Sequence, residues 1–249
     1  MPKFAANLTM LFTELPYLDR FDAAAEVGFA AVEILAPYDV AAKETRRALL
    51  RNGLTLVLIN APPPNYTGGV RGYAAEPGNE ARFEYDMRRT LRYARELQAG
   101  LVHIMSGYSQ GDVAEDVFVR NLKWAADFAP EQQFTIEPLN PGDQPGYFLN
   151  DYDLAARVLD RVDRPNLGLQ YDSYHAQLIT GDALATWYKH QSRITHVQIG
   201  SPPDRGEPGD SPFDFASLFA AIDASGYTGW VSGEYHPSGK TVDSLAWLH

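Results

Sequence analysis

Four side chains with oxygen donors come at the ends of four consecutive hydrophobic segments. They are Glu137 in FTIEPLN, Asp172 in LGLQYD, Gln198 in THVQIG and Glu234 in WVSGEY. Three carboxylates that converged on one point would repel one another strongly unless a cation neutralised them. Oxygen ligands favour a hard divalent ion, Mg2+ or Mn2+ with Co2+ also possible, over zinc. The four residues together therefore predict a metal centre.

Each of these residues also has a simpler interpretation. A single Glu at the end of a strand is usually solvated or paired with an arginine, because an unpaired ionised carboxylate is costly to bury. Asp172 could cap the following helix, and Gln198 could bond to a loop backbone. The occurrence of all four on consecutive segments is what favours a shared site.

The segments that carry these residues belong to a longer pattern. Eight short runs rich in β-branched and aromatic residues recur along the chain with helix-like stretches between them, which is typical of parallel strands joined by crossover helices. The runs begin at Phe4, Ala30, Thr55, Leu101, Gln133, Leu167, Ile194 and Gly229. Eight such units predict one α/β domain over residues 1–249, a single (β/α)8 TIM barrel. In that fold the catalytic groups lie at the C-terminal ends of the strands.

The stretches between the runs carry apolar residues at helical spacing. Residues 17–29, 41–53, 81–100 and 213–227 are examples, and they predict amphipathic outer helices. Residues 61–78 are rich in proline and glycine, and a loop of this length in a compact domain is usually a lid or a binding loop.

The composition of the chain limits the binding partners and the chemistry that are expected. The formal net charge is -11, which repels a phosphate backbone and an anionic membrane, so no nucleic-acid or membrane partner is expected. The absence of cysteine excludes disulfides, zinc-thiolate sites and thiol nucleophiles. The first residues are too polar for the core of a signal peptide, and a cytoplasmic protein is expected. Exposed aromatic side chains such as Tyr73 and Trp247 would allow a homo-oligomer.

Six motifs occur in an order that identifies a family. They are NLTMLF, GFAAVEILAPYD, IEPLN, LQYDSYH, HVQIGSPPDRGEPG and GWVSGEYHP. Over almost the whole chain they closely resemble the hydroxypyruvate isomerase family of the xylose isomerase-like TIM barrels. The resemblance implies a metal held by Glu137, Asp172, Gln198 and Glu234, with Glu137 and Glu234 also handling the substrate proton. It implies no organic cofactor.

The resemblance also implies a reaction. Members interconvert hydroxypyruvate and tartronate semialdehyde (2-hydroxy-3-oxopropanoate), small hydroxy and oxo acids of glyoxylate metabolism, and an enediolate with two glutamates as acid and base would suit this chemistry. A hydride shift is the competing route. Alternatives on the same scaffold are a 2-oxo-tetronate isomerase and a ketose 3-epimerase or isomerase; a non-catalytic sugar-acid binding module is more distant. An abasic-site endonuclease would need a histidine-rich zinc site and a basic groove, and six histidines with a net charge of -11 argue against one.

Five further residues are expected to contact the substrate. Its carboxylate calls for a cation, and Arg71 in GGVRGYA and Arg205 in DRGEPG are the candidates. His175 in YDSYH would reach a substrate oxygen or hold a carboxylate. Asn60 closes the third strand and could donate to substrate, while His103 in LVHIMSG is either a substrate contact or a core histidine.

Two more polar residues are expected to support this set. Glu33 ends the second strand and would orient another side chain. His196 precedes Gln198 by two residues and so points to the same side of the strand, but lies deeper in the barrel. The chain departs from the family at Ile59, where a histidine is expected.

Overall fold

All eight segments predicted to be strands contain strands in the computed structural model, which describes residues 1–62, 72–209 and 213–248. The third segment forms two short strands, so nine parallel strands result. They are β1 (Lys3–Asn7), β2 (Ala31–Glu33), β3 (Thr55–Leu56), β4 (Leu58–Ala61), β5 (Leu101–Ile104), β6 (Gln133–Ile136), β7 (Leu167–Asp172), β8 (Ile194–Ile199) and β9 (Trp230–Gly233).

The division at Val57 is the point where the barrel closes. The strand order is β3-β2-β1-β9-β8-β7-β6-β5-β4, so β3 and β4 lie at the two ends of the sheet although they are consecutive in the chain. The amide of Val57 donates to Val32 O at 2.8 Å, and Val57 O accepts from Leu101 N at 2.8 Å. One residue therefore joins both edges of the sheet, and the predicted TIM barrel is confirmed.

Eight α-helices occupy the connections within the described ranges. They are α1 (Asp19–Glu26), α2 (Ala42–Asn52), α3 (Glu80–Leu97), α4 (Asp112–Phe128), α5 (Tyr152–Val162), α6 (Ser173–Thr180), α7 (Ala183–His190) and α8 (Phe215–Ala224). Their apolar residues recur at intervals of three and four, as in α3, where Phe83, Met87, Leu91 and Ala94 are buried. This spacing puts them on one helix face, and burial of that face holds the helix on the sheet.

A short hydrogen bond attaches the end of the long loop predicted at residues 61–78 to the segment after β5. Ala75 N donates to Ser106 O at 2.7 Å, just beyond β5. Gly72 and Gly107 pack there, and both have positive φ, 77° and 85°. A Cβ on Gly107 would lie 2.6 Å from Gly72 O, a distance that only a shift of backbone could relieve.

We expect Gly107→Ala to destabilise the protein more than Gly111→Ala, a matched control. Gly111 has a similar φ of 80°, but a Cβ there would meet nothing within 4 Å. A positive φ costs a residue with a Cβ about 1–3 kcal/mol, which both variants incur. The clash at Gly107 should add roughly 1–3 kcal/mol. Urea denaturation measures both losses, and equal losses would contradict the tight packing described for Gly107.

The prediction that Tyr73 is exposed is wrong. Its exposed fraction is 4%, and its hydroxyl donates to Asp86 while the ring lies under the guanidinium of Arg82. Trp247 is half-buried against Phe4, with ring centroids 5.1 Å apart. A homo-oligomer stays a prediction without support from these two residues. Among the described helices, none combines the length and apolar character needed to cross a membrane.

Candidate active site

The four predicted oxygen donors meet at the C-terminal mouth of the barrel. Asp172 is the last residue of β7 and Gln198 lies near the end of β8, while Glu137 and Glu234 directly follow β6 and β9. These four strands are neighbours in the sheet. All four residues are buried, with exposed fractions of at most 4%. The arrangement concentrates three carboxylates in a space shielded from water.

Asp172 caps a helix with one carboxylate oxygen and faces other polar side chains of the site with the second. Its Oδ1 accepts a hydrogen bond of 2.9 Å from Tyr174 N and so caps α6. Its Oδ2 accepts one of 3.0 Å from Arg205 Nη2 and lies 3.8 Å from His175 Nε2. One oxygen is therefore structural, and the other faces the site.

Arg205 lies among the carboxylates in the loop after β8. Its Nη2 is 3.0 Å from Asp172 Oδ2 and 3.1 Å from Glu234 Oε2. Its backbone has a φ of 55°, and its carbonyl accepts from His236 N at 2.8 Å. Burial opposes its charge, but Glu234 and Asp172 more than compensate and raise the pKa of Arg205. A strained backbone thus presents a permanent cation to two carboxylates.

Glu137 is held on one side only. Its Oε2 accepts from Gln170 Nε2 at 2.9 Å and lies 3.7 Å from His103 Nδ1. Its Oε1 has no hydrogen-bond partner within the described parts of the chain. Burial, reinforced by the charges of Glu234 and Asp172, raises the pKa of Glu137 well above the ordinary range. A carboxyl group with a raised pKa is a stronger base than an ordinary carboxylate and is suited to proton transfer.

A buried hydrogen-bond network lies beneath these residues. Gln198 Nε2 donates to Glu33 Oε1 at 2.7 Å, and Gln198 Oε1 accepts from Gln170 Nε2 at 2.6 Å. Glu33 also bonds Asn7 Nδ2 and His196 Nε2, each at 2.7 Å. Glu33 therefore orients Gln198, and His196 lies deeper in the barrel.

Three predicted substrate contacts line the same mouth. His175 Nδ1 accepts from Asn140 N at 3.1 Å, so its proton is on Nε2, and burial together with Arg205 lowers the pKa of His175. Asn60 Oδ1 lies 3.2 Å from His103 Nδ1. Burial lowers the pKa of His103 to about 3, so this ring is neutral. Both histidines can bond to a ligand without adding charge.

These side chains line a pocket of about 420 Å³, a volume that includes space open to solvent. Its lining is formed by Leu35, Asn60, His103, Met105, Glu137, Leu139, Asp143, Gln144, Gln170, His175, Gln198, Arg205 and Glu234. Asp172 lies behind Arg205 and is fully buried. Arg71, the other predicted carboxylate-binding residue, lies outside the described residues.

The donors present suit a hard divalent cation. Single donor atoms of Glu137, Asp172 and His175 all lie within 4.8 Å of one another. Glu33 and Glu234 bring two more buried carboxylates to this region, and Arg205 supplies one permanent positive charge. A cation would balance the excess negative charge, and the unpartnered Oε1 of Glu137 offers it an oxygen ligand.

The sequence interpretation missed Gln170. It lies on β7 between Glu137 and Gln198 and bonds to both. A signal was present, because Gln170 precedes Asp172 by two positions and side chains at that spacing share a strand face. A buried glutamine in an otherwise apolar run is itself unusual.

Fold, site and sequence agree on a class of protein. Residues 21–249 match the family described as xylose isomerase-like TIM barrel, and the chain belongs to that family. It is 42% identical over 254 residues to the 2-oxo-tetronate isomerase of Cupriavidus necator, with 100% of this chain and 98% of that protein covered. It is 36% identical over 254 residues to the hydroxypyruvate isomerase of Escherichia coli K12, with the same coverage. The protein is therefore an enzyme of the isomerase class.

A solved structure shares the whole fold. A Brucella melitensis protein, described as an AP endonuclease of family 2, superposes with a TM-score of 0.96 at 43% identity. The alignment covers 100% of this chain and 98% of that one.

Proposed function

We propose that the protein is a metal-dependent isomerase that interconverts hydroxypyruvate and tartronate semialdehyde. A 2-oxo-tetronate is the second candidate substrate. Its support is the 42% identity of this chain to the 2-oxo-tetronate isomerase of Cupriavidus necator. Both compounds carry a carboxylate, a carbonyl at C2 and a hydroxyl on C3, so the same groups would serve either. The observation that carries the proposal is the convergence of Glu137 and Glu234 on one cavity that also contains Arg205.

Two glutamates would move the proton between adjacent carbons. One carboxylate takes the hydrogen from C3 as a proton, and its electron pair forms the C2–C3 double bond of an enediolate while the C2 carbonyl becomes an alkoxide. A protonated carboxyl then delivers a proton to C2. The C3 hydroxyl passes its own proton to the C2 alkoxide, so that C3 becomes the new carbonyl and C2 carries the new hydroxyl. Glu137 and Glu234 follow β6 and β9, so they reach the cavity from different sides.

We further propose that Glu137, Asp172, Gln198 and Glu234 would hold Mg2+, Mn2+ or Co2+. When bound, a divalent ion would polarise the carbonyl and offset the negative charge that develops during proton transfer. Since His175 Nε2 lies 3.8 Å from Asp172 Oδ2, this histidine would orient that carboxylate.

Arg205 would bind the substrate carboxylate. Its Nε is buried and has no partner among the described residues, so one N–H remains for a ligand. His103 Nε2 is likewise without a partner there and would meet a substrate oxygen beside Asn60. Arg71 stays a second candidate for the carboxylate. An endonuclease is less well supported, because the carboxylate-lined cavity and the net charge of -11 oppose a phosphate backbone.

Conversion of each substrate tests the proposal. Purified protein with Mg2+ is incubated with hydroxypyruvate or with a 2-oxo-tetronate, and proton NMR follows the product against a protein-free control that contains the same metal. Product from either compound above the control supports the isomerase. No product from either would refute the proposed substrates, and the relative kcat/KM values decide between them.

Metal removal should slow turnover strongly. A divalent ion contributes several kcal/mol of transition-state stabilisation, so we expect chelation to slow the reaction on the order of 100-fold or more. Addition of Mg2+ or Mn2+ to the stripped protein should restore the rate, while Ca2+ serves as a control with weaker Lewis acidity. Full activity in protein shown by elemental analysis to be free of metal would contradict the metal dependence.

A further inference from the structure

Gln170 links two residues of the site. Its side chain has an exposed fraction of 1% and extends from β7 between the ends of β6 and β8. The single atom Nε2 donates to Glu137 Oε2 at 2.9 Å and to Gln198 Oε1 at 2.6 Å. Both N–H groups of this amide are thereby used.

The side-chain amides of Gln170 and Gln198 lie between two carboxylates, Glu137 and Glu33, which fix the orientation of both amides. The neighbours of Gln170 Nε2 are both acceptors, so the NH2 group must face them. Gln198 then turns its oxygen to Gln170 and its NH2 to Glu33, at 2.7 Å. Glu33 is fixed in turn by Asn7 and His196. The hydrogen bonds run in one direction from each amide toward a carboxylate, and neither amide can flip without placing oxygen against oxygen.

This network decides which oxygen of Glu137 is available. Oε2 is occupied by Gln170, with His103 Nδ1 at 3.7 Å on the other side. Oε1 has no hydrogen-bond partner among the described residues, and Glu137 lines the cavity. Rotation about the last side-chain bond would exchange the two oxygens or break the bond to Gln170. The amide of Gln170 opposes that rotation.

We propose that Gln170 is a positioning residue of the isomerase, which holds Glu137 with Oε1 available for the reaction and ties it to Gln198. The inference rests on the proposed function and adds a residue that the family resemblance did not assign. A purely structural role would predict lost stability with an unchanged rate, because the network also satisfies buried polar groups.

Gln170→Met separates the two roles. Met matches the length of the side chain and cannot donate, so Glu137 Oε2 loses its partner. We expect kcat to fall by about 10- to 100-fold, as for other residues that orient a ligand or catalytic group, with a smaller change in KM. The matched control is Thr135→Val, two residues before Glu137, which removes a buried hydrogen bond of 3.3 Å from Thr135 Oγ1 to Gly168 O. The control should lose stability but keep its rate.

A double-mutant cycle asks whether Gln170 acts through Glu137. In a Glu137→Gln background, Gln170→Met should cause no further loss of kcat, since the group that it positions is already gone. An unchanged kcat in the single variant, or an equal further loss in the double variant, would overturn the inference. If Gln170→Met does not fold, Gln170→Glu preserves the size and replaces the donor with an acceptor, and the same loss of kcat is expected.

A crystallographic comparison keeps the inference separate from the proposed function. If the wild-type protein turns over neither substrate, the proposed substrates fail, and the position of Glu137 is then compared in crystals of the wild type and Gln170→Met. A rotated or disordered Glu137 carboxylate in the variant supports the positioning role. The same carboxylate orientation in both crystals would overturn it.

Discussion

Glu137→Gln is expected to lower kcat by about 10²- to 10⁴-fold, the range attributed to general acid–base catalysis. An amide cannot exchange a proton with carbon, and it is also a poorer ligand for a divalent cation than a carboxylate. The substitution keeps the size of the side chain and an oxygen that can accept from Gln170. Steady-state rates by NMR measure the effect. Glu131→Gln, at a glutamate with a side-chain exposed fraction of 65%, is the control and should retain the wild-type rate.

Stability distinguishes this loss of rate from unfolding. Burial and the neighbouring charges of Glu234 and Asp172 raise the pKa of Glu137. A carboxyl group whose pKa is higher in the folded than in the unfolded state contributes stability at low pH that is lost as the pH rises. The raised pKa of Glu137 therefore lowers the stability of the wild type at neutral pH. Glu137→Gln removes this loss when both proteins are measured in chelator, so its free energy of unfolding at neutral pH should equal or exceed that of the wild type. A variant that is inactive because it is unfolded would contradict the assignment.

Arg205→Met should weaken both substrate binding and the fold. The guanidinium lies within 3.1 Å of carboxylate oxygens of Asp172 and Glu234. Removal of one partner from a buried ion pair costs about 3–5 kcal/mol, because a charge is left uncompensated. A lost hydrogen bond to a charged group costs roughly 1.5–3 kcal/mol, so KM for a carboxylate substrate should rise about 10- to 100-fold.

Arg205→Lys is the matched variant for this prediction. It keeps the positive charge but loses the planar fork that reaches two carboxylates from one nitrogen group. We expect most of the stability to return, while KM stays elevated. Urea denaturation in chelator and steady-state kinetics provide the two readouts. An unchanged KM in Arg205→Met would show that the substrate carboxylate binds elsewhere, with Arg71 as the next candidate.

The fold was predictable because its signal is local. Strands rich in β-branched residues alternate with amphipathic helices, and each segment shows this pattern without reference to the rest of the chain. The division of the third strand at Val57 was not visible, since it arises where the two edges of the sheet meet. That closure depends on Val32 and Leu101, which are distant in sequence.

The site was predictable in its members and less so in their contacts. The barrel fold implied that Glu137, Asp172, Gln198 and Glu234 would converge, because strand ends meet at one mouth. The sequence could not show that Arg205 turns back onto two protein carboxylates, since that depends on a loop conformation with positive φ. Gln170 was missed because an alternating face in a fully buried strand is hard to recognise. Tyr73 was misjudged because its partner Asp86 lies on another element.

The most direct test of the proposed proton transfer is deuterium incorporation in D2O. Hydroxypyruvate, or the 2-oxo-tetronate if that is the better substrate, is held with the Mg2+-loaded protein until it has passed through many turnovers at equilibrium. Proton transfer through a carboxylate predicts that deuterium accumulates on C2 and C3 at a rate above the protein-free control, and that Glu137→Gln abolishes the increase. Continued interconversion of the two isomers with protium fully retained at both carbons would contradict proton transfer and indicate a hydride shift.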